Sequence, residues 1–248
     1  MDRLIYTAMT AMNAAMDRQR AVANNLANAS TPGFRQEVFA VTPATLKDGS
    51  LEARAMARGN VRGADMTAAR VVPTGNPMDV ALEGDALLAY QSPDLQGEVY
   101  SRRGDLRVGA SGVIENGEGL AVLGEGGTPI SVPPGFSIAI AADGTIMASD
   151  PAAANAPPET IDRLRLVSPN GSPLAKGIDS FLKVPGGGVL PPDPTARLST
   201  GALEQSNVQT ADTLVQMIEA QRAFEQRARI IQTAGQLDEA SSGLMGLR

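Results

Sequence analysis

The side chains that could do catalytic chemistry in this sequence are carboxylates, Ser, Lys or Tyr, since it contains neither histidine nor cysteine. Those two absences remove the commonest general base, nucleophile and transition-metal ligands. A hydrolase built here would draw on a carboxylate pair from Asp79, Asp105 and Asp143. Asp143 also reads as half of an Asp143-Gly144 turn, and Asp79 follows Asn76-Pro77 at a strand start, where such residues serve local turns. The run Gly186-Gly187-Gly188 is followed by neither Lys nor a helix, so it is not a phosphate loop. The basic pairs Arg102-Arg103 and Arg227/Arg229 have acids near them and read as solvated or intersubunit faces. No metal-ligand spacing occurs, and neither metal, cofactor nor catalysis is expected.

Hydrogen bonding by side-chain amides is concentrated in Ala23–Arg35, ANNLANASTPGFR. Asn24, Asn25 and Asn28 fall at the end of an apolar-periodic run. Asn competes with the backbone for hydrogen bonds and weakens a helix. Pro32 and Gly33 then end it, one by lacking a donor and the other by permitting positive φ. Two readings stand: a helix end fraying through Asn and Ser into a turn, or a specific buried amide cluster where helices meet.

The elements that would position this stretch follow from hydrophobic period. Residues 3–29 read as a helix with a broad stripe containing Leu4, Ile5, Ala8, Met12, Ala15 and Val22. Residues 206–240 read as a second helix, with Val208, Ala211, Val215, Ile218, Phe224, Ala228 and Ile231 on its stripe. Ser206 and Gln209 have capping-box spacing. Between the helices, short apolar runs alternate with turn dipeptides, the mark of an all-β unit. Asp143-Gly144 and Asn170-Gly171 read as hairpin turns. The expected division is 1–35 as helix and exit turn, 36–75 as extended connector, and 76–184 as β-domain. A Pro/Gly-rich strap at 185–205 and a C-terminal helix at 206–248 complete it. The fold class is α+β: two long terminal helices packed as a coiled-coil-like pair, with the all-β domain between them.

Composition bounds the partners. The 248 residues are 43% hydrophobic but only 3% aromatic, so the core must be aliphatic. A net charge of −6 argues against nucleic acid or anionic membrane as a main partner. No run approaches the roughly 18 apolar residues of a membrane span. Asp2 and Arg3, then Asn13, Asp17 and Arg18, interrupt any signal-peptide core, so no cleavable signal is expected.

ANNLANASTPGFR resembles the signature of the bacterial flagellar axial proteins, the rod, hook and hook-associated subunits. The resemblance continues through TGNPMDVAL (Thr74–Leu82), YSRRGDLRVGASGVIENGEGLAVLG (Tyr100–Gly124) and IAADGTI (Ile140–Ile146), and closes with GALEQSNVQTADTLVQMIEAQRAFE (Gly201–Glu225). Chain length and the wording Ser30-Thr31-Pro32-Gly33-Phe34-Arg35 are most similar to the proximal-rod members of the basal-body rod family. Where relatives often carry an aromatic pair, this chain has Gly84-Asp85-Ala86-Leu87-Leu88.

The resemblance implies a structural subunit, exported by the flagellar apparatus without a cleaved signal. It would polymerise with copies of itself and with neighbouring rod proteins into a tube that crosses the periplasm and transmits torque for swimming. It also implies that Asn24, Asn25, Leu26, Asn28, Ser30, Thr31, Pro32, Gly33 and Phe34 form an assembly motif. Asn25 and Asn28 would bond between helices of the tube, and Phe34 would anchor the exit in an apolar pocket. The alternatives are a distal-rod or hook-associated protein, or a wall-cleaving enzyme carried on helices.

Overall fold

The computed structural model describes residues 2–48, 51–94, 97–151, 153, 157–177 and 179–245, and side chains over 6–40, 63–94, 97–151, 153, 157–177 and 179–236. Residues 2–27 contain neither Gly nor Pro and form one helix, α1 (Asp2–Ala27). The last helix, α2 (Thr210–Met245), has no Pro and runs for 36 residues. Among the described residues, sixteen strands lie between them. They are β1 (Glu37–Asp48), β2 (Leu51–Ala64), β3 (Val71–Pro73), β4 (Val80–Leu82), β5 (Leu87–Gln91), β6 (Glu98–Ser101), β7 (Leu106–Val108) and β8 (Ile114–Asn116). There follow β9 (Ser137–Ile140), β10 (Thr145–Ser149), β11 (Glu159–Arg163), β12 (Leu166–Val167), β13 (Ala175–Lys176), β14 (Leu182–Lys183), β15 (Leu198–Thr200) and β16 (Ala202–Glu204). The chain is thus α+β, as its periodicities predict.

It divides into two units. The helical unit comprises Met1–Ala27, Glu37–Gly63 and Gln209–Arg248; the body comprises Asn28–Gln36 and Ala64–Val208. In the helical unit α1 and α2 lie antiparallel. Arg18 reaches Glu219 at 3.7 Å, and Thr7, Ala8 and Ala11 share a groove with Arg227 and Ile230. The most buried helix positions are small, Ala14, Ala15, Ala21 and Val22 on α1 with Thr213, Ala220 and Ala234 on α2. Small side chains let helix axes approach closely. The segment expected as a connector with short strands is instead a long two-stranded ribbon, β1–β2. Its sequence explains this: over 52–62 five of the six even positions, Glu52, Arg54, Arg58, Asn60 and Arg62, are polar, Met56 being the exception, a period of two.

The body is built from small antiparallel sheets, the largest in the order β12-β5-β6-β14-β13. Strand β5 is its centre. Leu88 and Tyr90 enter a cluster with Val99, Ile114, Val122, Ile146, Leu164 and Leu198, while Leu87 and Ala89 enter a second with Tyr100, Val167 and Leu190. A strand buried on both faces must be apolar at every position, and LLAY is. Asp143-Gly144 does join a hairpin, β9–β10, with Gly144 at φ 88°. Asn170-Gly171 does not, because β12 and β13 lie at opposite edges of the five-stranded sheet. The residues expected as a strap are integral to the body: Leu190 is buried, β15 pairs with β4, and β16 with β3. The second helix starts at Thr210, after Ser206 has accepted a bond from the Val208 amide, so Ser206 is not its cap.

Candidate assembly site

The amide-rich stretch is not frayed. Asn25 is 2% exposed, its Oδ1 accepting from the Glu37 amide at 2.7 Å and its Nδ2 donating to the Glu37 carbonyl at 3.1 Å. One carboxamide thus satisfies both main-chain groups of the first residue of β1, as a neighbouring strand would. Asn24 donates to the Glu37 carboxylate at 2.5 Å. Within its own chain the amide of Asn25 is engaged by a strand residue, Glu37. Leaving the half-buried Glu37 main-chain groups unpaired would cost about 1–3 kcal/mol.

Asn28 belongs to the turn that follows α1. Its carbonyl accepts from the Thr31 amide and its side chain from the Thr31 hydroxyl, both at 3.1 Å. Gly33 then takes φ 67°, and its amide donates to the Glu204 carbonyl at 2.7 Å. A Cβ at Gly33 would lie 2.3 Å from main-chain atoms of Arg102 and Arg103, so the position excludes every other residue twice over. Phe34 is buried, with the Lys176 ammonium 3.4 Å from its ring centroid. That ammonium also donates to the Arg35 carbonyl. Leu26, Thr31 and Pro32 are half-buried, and Ser30 is exposed.

Beneath the turn lies a buried ion cluster that local reading missed. Glu204 is 2% exposed, accepting from Arg35 Nη2 at 2.6 Å, from Arg102 Nε at 2.6 Å and from the Ala69 amide at 2.9 Å. Arg102 also donates to the carbonyls of Leu82, Gly84 and Ala86. It is therefore not part of a solvated face, and Arg103 beside it pairs with Asp105 and Glu118. Burial alone would raise the Glu204 carboxyl, but the Ala69 amide and the two guanidiniums outweigh it and hold the group below its ordinary range. Burial lowers Arg35, whose Nε and Nη1 find no acceptor. Asn207 is the second hub. It accepts from the Gln36 amide at 2.7 Å and donates to the Asp65 carbonyl at 2.8 Å. Both hubs lie in the segment GALEQSNVQ, quoted above as a motif without singling out these residues.

The stripe residues separate. On α1, Ala15 and Val22 are buried and Ala8 and Met12 half-buried; the side chains of Leu4 and Ile5 lie outside the described residues. On α2, Phe224, Ala228 and Ile231 are half-buried while Ala211, Val215 and Ile218 are exposed, and Val208 is buried in the body. The candidate acid–base carboxylates are occupied. Asp79 accepts from Thr74 and Asn76, Asp105 from Arg103, and Asp143 from Thr145, which lowers the Asp143 carboxyl.

Both ends of the chain match sequence models of one known class. Residues 5–35 match the model described as flagella basal body rod protein, and 199–244 the one described as flagellar basal body rod FlgEFG protein C-terminal. The chain belongs to the flagellar basal-body rod protein family, as a structural component of the bacterial flagellum. Within that family its likeness is to FlgF. It is 38% identical to the flagellar basal-body rod protein FlgF of Salmonella typhimurium over all of both chains. It is 41% identical to that of Escherichia coli over 93% of each, and 26% identical to the flagellar basal-body rod protein FlgG of Bacillus subtilis over 99% of each.

Proposed function

We propose that this chain is a proximal-rod subunit that polymerises through its helical unit into a torque-transmitting tube. Its terminal helices pack as a coiled-coil-like pair on the inside, and the body faces outward. The observation that carries this reading is the apolar surface left on the helical unit. Tyr6, Met9 and Met16 of α1 and Leu214, Val215, Ile218 and Ile230 of α2 are all exposed. Such a surface is covered by a partner, and contacts of a heterologous kind that do not close give a helical assembly.

The partners are further copies of the chain and neighbouring rod proteins. The site of action is the periplasmic rod, reached through the flagellar export apparatus without a cleaved signal. The role is structural, with no catalysis and no nucleic acid. Among the described residues no helix is long and apolar enough to cross a membrane. Replacing Val215 and Ile218 together by Ser is expected to leave the body folded, and to abolish both rod formation and swimming. A strain carrying that double variant with complete basal bodies and wild-type motility would overturn the reading.

A further inference from the structure

The body folds from parts that differ in the reach of their contacts. Strands β7 and β8 are adjacent hairpin partners, and the amides of Ile114, Val122 and Ile130 bond to one another's carbonyls within seventeen residues. The exit turn cannot do this. Arg35 finds the carboxylate it hydrogen-bonds 169 positions along the chain. Gly33 bonds to the carbonyl of that same Glu204, and Gln36 to the side chain of Asn207. Strands β3 and β4 likewise form their ladders with β16 and β15, more than a hundred residues on. Arg35 and Arg102 are each 3% exposed, so before Glu204 arrives the same packing would bury two guanidiniums with no carboxylate bonded to either. Arg102 has three carbonyls to hold it, but Arg35 keeps only the through-space attraction of Asp65, and its Nε and Nη1 find no hydrogen-bond partner even in the finished fold. Burying an uncompensated charge is among the most unfavourable events in folding.

We propose that residues 198–208 are a completion latch: the exit turn Gly33–Gln36 is set only when Glu204 and Asn207 dock onto it. A chain is made from its N-terminus, so the exit turn is synthesised long before the segment that sets it. An incomplete chain therefore carries the apolar N-terminal segment with its exit turn unset. That biological meaning rests on the rod-subunit reading; the order of folding does not.

The test is pulse-labelled hydrogen exchange during refolding of the full chain. The amides of Ile114, Val122 and Ile130 are expected to gain protection at least about tenfold sooner than those of Gly33, Gln36 and Ala69, since distant closures are slow. Protection of both groups in one phase would overturn the latch. In full-length Glu204→Gln the late phase should be lost and the early phase kept; wild-type protection at Gly33 and Gln36 in that variant would also overturn it. Should Glu204→Gln not fold, the wild-type time course decides alone. Wild-type chains that fold in this order yet never polymerise would support the latch while refuting the rod-subunit reading.

Discussion

The body and the helical unit bury apolar side chains to very different ends. The body's large side chains, from Tyr90 and Tyr100 to Leu88 and Ile114, are completely enclosed. In the helical unit the buried positions are Ala, Val, Thr and Asn25, and larger apolar side chains are left outside. Among the described residues, eight of the eleven large apolar side chains on the surface belong to it. One unit is complete within a single chain and the other is not. Exposure of this kind would be a fault in a monomer, and in a polymer subunit it is the bonding surface.

The contrast can be broken from either side. The largest effect is expected from Glu204→Ala, which strands two buried guanidiniums and should destabilise the body by about 3–5 kcal/mol, read from its denaturant midpoint. The same carboxylate sets an acid limit. Because its folded value lies below the ordinary 4.5, its contribution is full above about 4.5 and is lost as pH falls through the lower folded value. Circular dichroism should show that acid limb in the wild type and a flatter one in Glu204→Gln. Next, Leu88→Ala removes a side chain with no exposure and should cost about 2–5 kcal/mol. Exchange protection should fall in the body's strands, with α1 and α2 unaffected. Asn25→Ala sharpens the other side. It leaves the Glu37 main chain unpaired, and about 1–3 kcal/mol of lost protection should appear at Glu37. The smallest effect belongs to Val215→Ser with Ile218→Ser, within about 0.5 kcal/mol per site by thermal melting of the unassembled chain. The two units are distinct in the way described if this last variant is the one that loses assembly.

Much of this was legible locally. Period placed both helices, Pro32-Gly33 placed the exit turn, and turn dipeptides marked the β region. The ribbon β1–β2 was also legible: polar residues at alternate positions from Glu52 to Arg62 are the strand period, hidden by reading them as charges alone. What local pattern could not supply was partner choice at long range. Arg102 looks the same in sequence whether it faces water or Glu204, and nothing near Asn207 names Gln36 or Asp65. Nor could it tell which part of the α2 stripe is covered. Val215 and Ile218 have the right spacing, yet burial follows Thr213, Ala220 and Ala234, because close helix contact selects small residues over large ones. Asn25 shows the same limit: its burial was foreseeable, its strand partner was not.

The hub at Asn207 has one more consequence. The greater part of the body is a single continuous stretch, 64–208, and Asn207 ties its two ends together through the Asp65 carbonyl, with Gln205 bonded to Arg70 beside it. A stretch whose ends meet brings the chain back close to where it set out, so a change of length within it need not move its ends. Turns of the body away from the residues that hold Gly33–Gln36 can therefore be lengthened or shortened while Asp65 and Asn207 stay together.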